Sequence, residues 1–190
     1  MSHRLLLLCF LVLPLIMVSC TAENPATALV EADDEVQPLM GKTNFDLSAD
    51  QRQQLAQLRR LVAPFHNFEK AQQAGWNVQF TPCLSHPTEG AMGYHYGNPA
   101  FVDADAVLLE PELLLYEPQK NGKLRFVGVE YIIPFELVGP DLDPPTLLDH
   151  EFLQVPDAGI WGLHIWVGRH NPSGLFADWN PKVTCEHADG

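Results

Sequence analysis

Three polar side chains lie in the middle of apolar segments that are typical of β-strands. His95 stands in "GYHYG", Glu130 in "VGVEYII" and His164 in "GLHIWV". Two imidazoles and one carboxylate form a ligand set that suits zinc, copper or iron, depending on geometry and open coordination positions. If the three strands share one sheet and the side chains share one face, the sequence predicts a metal centre built from these residues.

The same three residues also have a structural explanation, which the sequence leaves open. A strand histidine is often a hydrogen-bonded residue of the core, and a strand carboxylate often pairs with an arginine. Arg125 and Arg169 are the candidate partners of Glu130 under this explanation. The two explanations differ in whether His95 and His164 converge on the carboxylate.

Other polar residues are candidates to extend the site. His86 in "SHPTEG" and His170 in "RHNPSG" are candidate additional ligands, and Asp178 in "DWNP" is a third. All three lie in segments that are typical of turns, because asparagine and proline favour turn conformations. The sequence therefore predicts the first-named trio as the ligand set and these residues only as additions.

Aromatic residues and catalytic motifs give less information. Trp161, Trp166 and Trp179 form either an aromatic platform for a sugar or cofactor, or a packed corner of the core.

The segment "HEFLQ" begins like a zinc-protease helix but lacks the second histidine. The sequence contains no GxSxG, no glycine-rich phosphate loop and no CxxCH haem motif. No catalytic residue is assigned, and whether the protein is an enzyme stays open.

Two helices followed by several strands must position these residues. Ser48 and Gln51 form a capping-box pattern that begins the first helix, which Pro64 interrupts. A second, shorter helix ends at Gly75. From Trp76 onward the spacing of apolar residues changes to the alternation of strands. This order predicts an α+β fold, with N-terminal helices packed on a mostly antiparallel sheet.

The clearest strand signal is the segment "LLLYEPQKNGKLRFVGVEYIIPF". Its two apolar runs flank Asn121 and Gly122, which predicts a β-hairpin. Simple alternation in the second run places Phe126 on the same face as Glu130. The proline-rich connection that follows is expected to carry a short helical turn around Leu147 to Leu153.

The N-terminus resembles a bacterial lipoprotein signal. The apolar run from Leu5 to Val18 is shorter than the roughly 20 residues that span a bilayer, which favours a signal peptide. It ends in "IMVSC", which resembles a lipobox. The resemblance implies a signal peptide over residues 1–19 and an acylated Cys20 that attaches the protein to a bacterial membrane.

The remainder of the N-terminal region fits an exported protein. Residues 20–41 are acidic and poor in large apolar residues, which predicts a flexible tether before a single globular domain over residues 42–190. In a Gram-negative bacterium, Thr21 after Cys20 follows the lipoprotein rule for outer-membrane delivery, facing the periplasm or the cell surface. The alternative is ordinary secretion with cleavage after Ala22 or Ala28. Both interpretations export the domain.

The cysteines then predict one disulfide. Cys9 leaves with the signal peptide and Cys20 takes the lipid, so Cys83 and Cys185 remain in the domain. In an oxidising compartment two remaining cysteines are expected to pair. The alternative, two thiolate metal ligands, is disfavoured because neither cysteine lies in a CxxC or CxxH pattern.

Composition excludes several classes of protein. A hydrophobic content of 46% and a charged content of 18% are typical of a globular domain and exclude a disordered or fibrous chain. The net charge of −13 repels phosphate backbones, which argues against nucleic-acid binding. Membrane association is therefore expected through the lipid, and the sequence identifies no protein partner.

The segments "AGWNVQFTPC", "GAMGYHYGNP", "LLYEP", "GVEY" and "LHIWVGRHNPSGLFADWNPKVTC" together resemble a family of exported bacterial proteins. The resemblance covers Phe65 to Cys185. It implies one compact domain closed by the two cysteines, and it implies no substrate, cofactor or catalytic residue. The sequence thus predicts a lipid-anchored module that binds a metal ion or small ligand. The alternatives are a metal-dependent enzyme using the same trio and a structural envelope or interaction protein without a metal.

Overall fold

The computed structural model of the protein describes residues 47–141 and 143–188. The predicted signal peptide, Cys20 and the tether over residues 20–41 lie outside the described residues. Within the described ranges, no helix is long and apolar enough to cross a membrane.

Helices come first and strands follow, as the sequence predicts. The helices of the described part are α1 (Ala49–Val62), α2 (Phe68–Gln73) and α3 (Phe135–Val138), with 3₁₀ turns at Ala63–His66, Pro99–Phe101 and Pro156–Ala158. The strands are β1 (Val78–His86), β2 (Gly90–Gly97), β3 (Leu113–Pro118), β4 (Leu124–Pro134), β5 (Thr146–Leu147), β6 (His150–Glu151), β7 (Leu153–Val155) and β8 (Ile160–Ile165). Six strands form one sheet in the order β1-β2-β3-β4-β8-β7, and every neighbouring pair is antiparallel. The α+β prediction is confirmed.

Helix α1 begins at the predicted capping box. The Ser48 hydroxyl accepts the backbone N–H of Gln51 at 3.1 Å, and the Gln51 side chain accepts the backbone N–H of Ser48 at 2.8 Å. Leu55 and Leu58 are fully buried in the main hydrophobic core, whereas Leu61 lies at the edge of the apolar stripe and is exposed. The apolar stripe therefore packs this helix on the sheet.

The two faces of the sheet pack against different parts of the chain. The helix face packs against α1 and α2, and its core contains Leu114, Tyr116, Val129, Tyr131, Leu163 and Ile165. The opposite face, here called the site face, carries a second apolar cluster of Ala91, Leu115, Val127, Trp166 and Val183. We call residues 166–188, which follow β8, the C-terminal segment. Because Val183 belongs to it, the C-terminal segment covers part of the site face.

A β-bulge corrects one expectation about strand β4. Leu115 pairs with Gly128, but the next residue of β3 pairs with Phe126, so Val127 is an extra residue in β4. A bulge moves the side chains beyond it to the other face of the sheet. Phe126 therefore packs in the helix-face core with Val129. The expectation from simple alternation, that Phe126 shares the face of Glu130, is wrong.

The expected helical turn around Leu147 to Leu153 is also wrong. This segment forms β5, β6 and β7, with Leu147 paired to His150. Leu148 and Asp149 have φ angles of 55° and 54°. Two consecutive residues with positive φ make the tight turn of a two-residue hairpin and prevent a helix.

The predicted disulfide is present. Cys83 of β1 bonds to Cys185, across a sequence separation of 102 residues and a Cα–Cα distance of 5.7 Å. The bond joins an edge strand of the sheet to the C-terminal segment. It therefore fastens the segment that covers part of the site face.

Candidate metal centre

Three strands of the sheet bring His95, Glu130 and His164 together. Glu130 of β4 and His164 of β8 are directly paired neighbours. His95 comes from β2, which is separated from β4 by β3. The two conditions set out in the sequence analysis, one shared sheet and one shared face, are therefore met.

The donor atoms of the three side chains converge. His95 Nε2 lies 3.3 Å from Glu130 Oε2, and His164 Nε2 lies 3.8 Å from Glu130 Oε1. One ligand atom from each residue falls within 4.8 Å of the other two. An ion held tetrahedrally at about 2.1 Å separates its ligand atoms by roughly 3.4 Å. The spacing of this trio is therefore compatible with a single ion.

The site is nearly closed to solvent. The side chains of His95, Glu130 and His164 are 3%, 8% and 5% exposed. His164 Nε2 is buried and has no hydrogen-bond partner among the described residues. An unsatisfied buried polar atom costs about 1–3 kcal/mol. A cation bound to this nitrogen would remove that cost.

The second nitrogen of each imidazole has a polar neighbour. His95 Nδ1 is hydrogen-bonded to Thr81 Oγ1 at 2.7 Å, and His164 Nδ1 lies 3.8 Å from Asp178 Oδ1. Such outer partners fix the orientation of a ligating imidazole and leave the other nitrogen for the metal. Asp178 thus extends the site as the sequence suggested, but through His164 and not as a direct neighbour of Glu130.

Burial and mutual charge set the protonation of the trio. Burial, assisted by His164, lowers the pKa of His95 to about 3, so this imidazole is neutral. Burial raises the pKa of Glu130, and the charge of His164 partly offsets that effect. Burial alone would lower the pKa of His164, but Glu130 and Asp178 outweigh it and raise the pKa above 6.5. Of the two imidazoles, His164 is therefore the one whose surroundings favour the protonated form.

A different carboxylate takes the two arginines that the sequence suggested for Glu130. Arg169 donates to Glu117, and Arg125 lies 3.5 Å from the same carboxylate. Glu117 also accepts the backbone N–H of Thr184 at 3.1 Å, so it anchors the C-terminal segment. In the described part of the chain, the ion pairs of Glu130 are with the two histidines alone. The arginine explanation for Glu130 is therefore wrong.

The two histidines that were candidate additional ligands lie elsewhere. His86 Nδ1 accepts the backbone N–H of Glu89 at 3.2 Å, and its ring contacts Trp179. His170 Nδ1 lies 3.3 Å from Lys182 Nζ. Neither histidine belongs to the group of ligand atoms that converges among the described residues.

Of the two interpretations that the sequence leaves open for the tryptophans, the structure does not show the ligand platform. Trp161 is buried in the helix-face core and Trp166 in the site-face cluster, so the two rings lie on opposite sides of the sheet. Trp179 packs beside His86. An open cleft bordered by Tyr94 and Tyr96 is present, but it lies on the helix face and does not reach the trio.

A buried acid next to the site was missed by the sequence reasoning. Glu112, directly before β3, is 1% exposed, and its side chain accepts the backbone N–H of Ile132 at 3.2 Å. Burial, assisted by Asp103 and Glu130, raises the pKa of Glu112 to about 8, although two backbone hydrogen bonds oppose the shift. The sequence signal was a carboxylate directly before the apolar run "LLLY".

This acid predicts a pH dependence of stability. Because its pKa is higher in the folded state, the unfolded state loses the proton first as the pH rises. The free energy of unfolding is therefore expected to fall between about pH 4.5 and pH 8, by up to about 1.4 kcal/mol per pH unit from this group. Glu112→Gln should remove this slope in urea unfolding, while Glu69→Gln, at an exposed position, should retain it. An unchanged slope in Glu112→Gln would show that the acid is ionised in the fold.

Comparison of the chain with protein-family models, with curated proteins and with solved structures returns no match. The geometry and chemistry of the site therefore carry the functional conclusion.

Proposed function

We propose that the domain binds one divalent transition-metal ion through His95 Nε2, the Glu130 carboxylate and His164 Nε2. The observation that carries this proposal is the convergence of three buried donor atoms within 4.8 Å of one another. Three separate strands supply these atoms, so their convergence is a property of the whole sheet.

The charges around His164 support a cation as the ligand. Glu130 and Asp178 raise the pKa of His164, so the two carboxylates favour a bound proton on its imidazole. A metal competes with that proton, because only neutral imidazole binds metals. Affinity is therefore expected to fall as the pH drops through the pKa of His164.

Zinc is the first candidate among the metals. Two imidazole nitrogens and one carboxylate oxygen form a ligand set found in zinc sites, whereas magnesium and calcium prefer oxygen ligands alone. Copper and iron also accept imidazole. The choice among the three depends on the geometry of the loaded site.

Metal loading of the untagged protein tests the proposal. We expect equilibrium dialysis against zinc, followed by elemental analysis, to give one ion per chain. His95→Ala and His164→Ala should give none, and His86→Ala should bind as the wild type does. Dialysis against copper and iron identifies the preferred metal. Equal metal content in wild type and His164→Ala would contradict the proposal.

The outer partners give a second prediction. Asp178→Asn and Thr81→Val should each weaken metal affinity by about 10- to 100-fold, because each removes a group that orients a ligating imidazole. Competition with a chelator of known affinity measures the change. Thr88→Val, at an exposed hydroxyl beside His86, is the matched control for Thr81→Val. Wild-type affinity in both outer-partner variants would contradict the assigned orientations.

A second candidate function is metal-dependent hydrolysis. Three protein ligands leave one position of a tetrahedral ion for water, as in catalytic zinc sites, where the metal lowers the pKa of that water. Turnover of esters or peptides by the zinc-loaded protein, lost in His164→Ala, would support this candidate. Metal binding without turnover would support a binding module.

We also propose that the domain is exported and held at the outer membrane by lipid on Cys20. The Cys83–Cys185 disulfide supports export, because structural disulfides persist in oxidising compartments. Cys20→Ser should move the protein from the membrane fraction to the soluble fraction. Retention of this variant in the membrane fraction would contradict the lipid anchor.

A further inference from the structure

The site face continues past the metal centre as an apolar surface. Gly162 pairs with Ile132 on one side and with Leu153 on the other, and Ile160 pairs with Val155. These positions share the face of His164, because side chains alternate along a strand and directly paired residues lie on one face. We call Ile132, Leu153, Val155 and Ile160 the apolar strip.

The outer part of the apolar strip is open. Leu153 is 53% exposed and Val155 is 38% exposed. Large apolar side chains that are exposed together beside a candidate site are typical of a binding surface, whereas scattered ones need no explanation. Strand β7, which carries both, is an edge strand of the sheet.

Gly162 connects the apolar strip to the metal centre. A Cβ atom at this position would lie 3.1 Å from Glu130 Oε1 and 3.6 Å from Val155 Cγ2. The glycine therefore leaves space between the carboxylate and the apolar strip that any other residue would fill. The surface and the centre are thus continuous at this point.

The opposite edge of the same face is apolar as well. Val78 and Phe80 of β1 are each 43% exposed. The Phe80 ring lies over Gly97, where a Cβ atom would meet Phe80 Cε2 at 2.1 Å. The ring thus occupies the space above Gly97, whereas a Cβ atom at Gly162 would lie near only Glu130 Oε1 and Val155 Cγ2.

We propose that the ligand of the metal centre is an apolar acid, with an anionic oxygen head on the metal and a hydrocarbon body along the apolar strip. This inference rests on the proposed metal site. A divalent ion held by two neutral imidazoles and one carboxylate keeps one positive charge, which an anionic head complements. The hydrocarbon body buries Leu153 and Val155, and the space beside Gly162 joins the two parts.

Two chelating probes of different length test the proposal. Acetohydroxamate and octanohydroxamate carry the same head, and isothermal titration into the zinc-loaded protein gives both affinities. We expect octanohydroxamate to bind at least about tenfold more tightly, because burial of its added chain is favourable. The double substitution Leu153→Ser and Val155→Ser should bring the ratio of the octanohydroxamate affinity to the acetohydroxamate affinity close to one. Zinc content is measured in every sample.

A substitution at the other edge is the matched control. Phe80→Ser removes an equally exposed apolar side chain from the same face, and it should leave the ratio of the two affinities unchanged. Equal binding of both probes to zinc-loaded wild type would overturn the inference, as would loss of the ratio in Phe80→Ser alone. A wild-type dimer that the double substitution converts to a monomer would also overturn it, because a second copy would then cover the apolar strip. Failure of zinc to bind would instead overturn the proposed metal site.

Discussion

Zinc at about 1,000 times its dissociation constant is expected to raise the free energy of unfolding by about 4 kcal/mol. The gain arises because the folded state holds three donor atoms within 4.8 Å and the unfolded chain does not. For a domain of this size, it corresponds to a rise of roughly 8–16 °C in the melting temperature.

The same rise should be absent from His95→Ala and His164→Ala, each compared with and without zinc. His86→Ala also removes one histidine but lies outside the converging group, so it should keep the full rise. Differential scanning calorimetry measures all four proteins. A rise of equal size in His164→Ala would show that zinc binds elsewhere on the chain.

Removal of the disulfide is expected to be the largest single loss of stability. By the chain-entropy model, a bridge across a separation of 102 residues restricts the unfolded chain by roughly 4–5 kcal/mol. Cys83→Ser together with Cys185→Ser should lower the free energy of unfolding by about that amount in urea unfolding. A loss below about 1 kcal/mol would contradict this account of the bridge.

The disulfide variant is also expected to bind metal more weakly. Cys185 ends the segment that carries Asp178, and the Thr184 backbone contact with Glu117 holds the same segment. Without the bridge, Asp178 is less firmly held beside His164. Glu117→Gln, which weakens the same anchor and leaves the bridge intact, should weaken zinc affinity in the same direction.

The fold could be predicted from the sequence because its local signals agree. The capping box of α1, the change of period at Trp76 and the turn residues of the β3–β4 hairpin all identify their elements correctly. The position of Phe126 could not be predicted, because a bulge is set by strand pairing and leaves the apolar pattern unchanged. The turn at Leu148 could not be predicted either, because it requires a positive φ angle, which leucine does not favour.

The site could be predicted in part for a similar reason. His95, Glu130 and His164 are detectable because each interrupts an apolar strand. Their outer partners are harder to detect, since Thr81 reaches His95 only through strand register. Glu117 carried the same signal as Glu130, a carboxylate inside a buried strand, and it takes the arginines that the sequence analysis gave to Glu130.

Anomalous diffraction from a crystal of the zinc-loaded protein tests the central claim most directly. The account predicts one strong peak at the zinc edge, about 2 Å from His95 Nε2, from His164 Nε2 and from an oxygen of Glu130. A crystal whose zinc peaks lie only at His86, His170 or surface carboxylates, with none between the three strands, would contradict it.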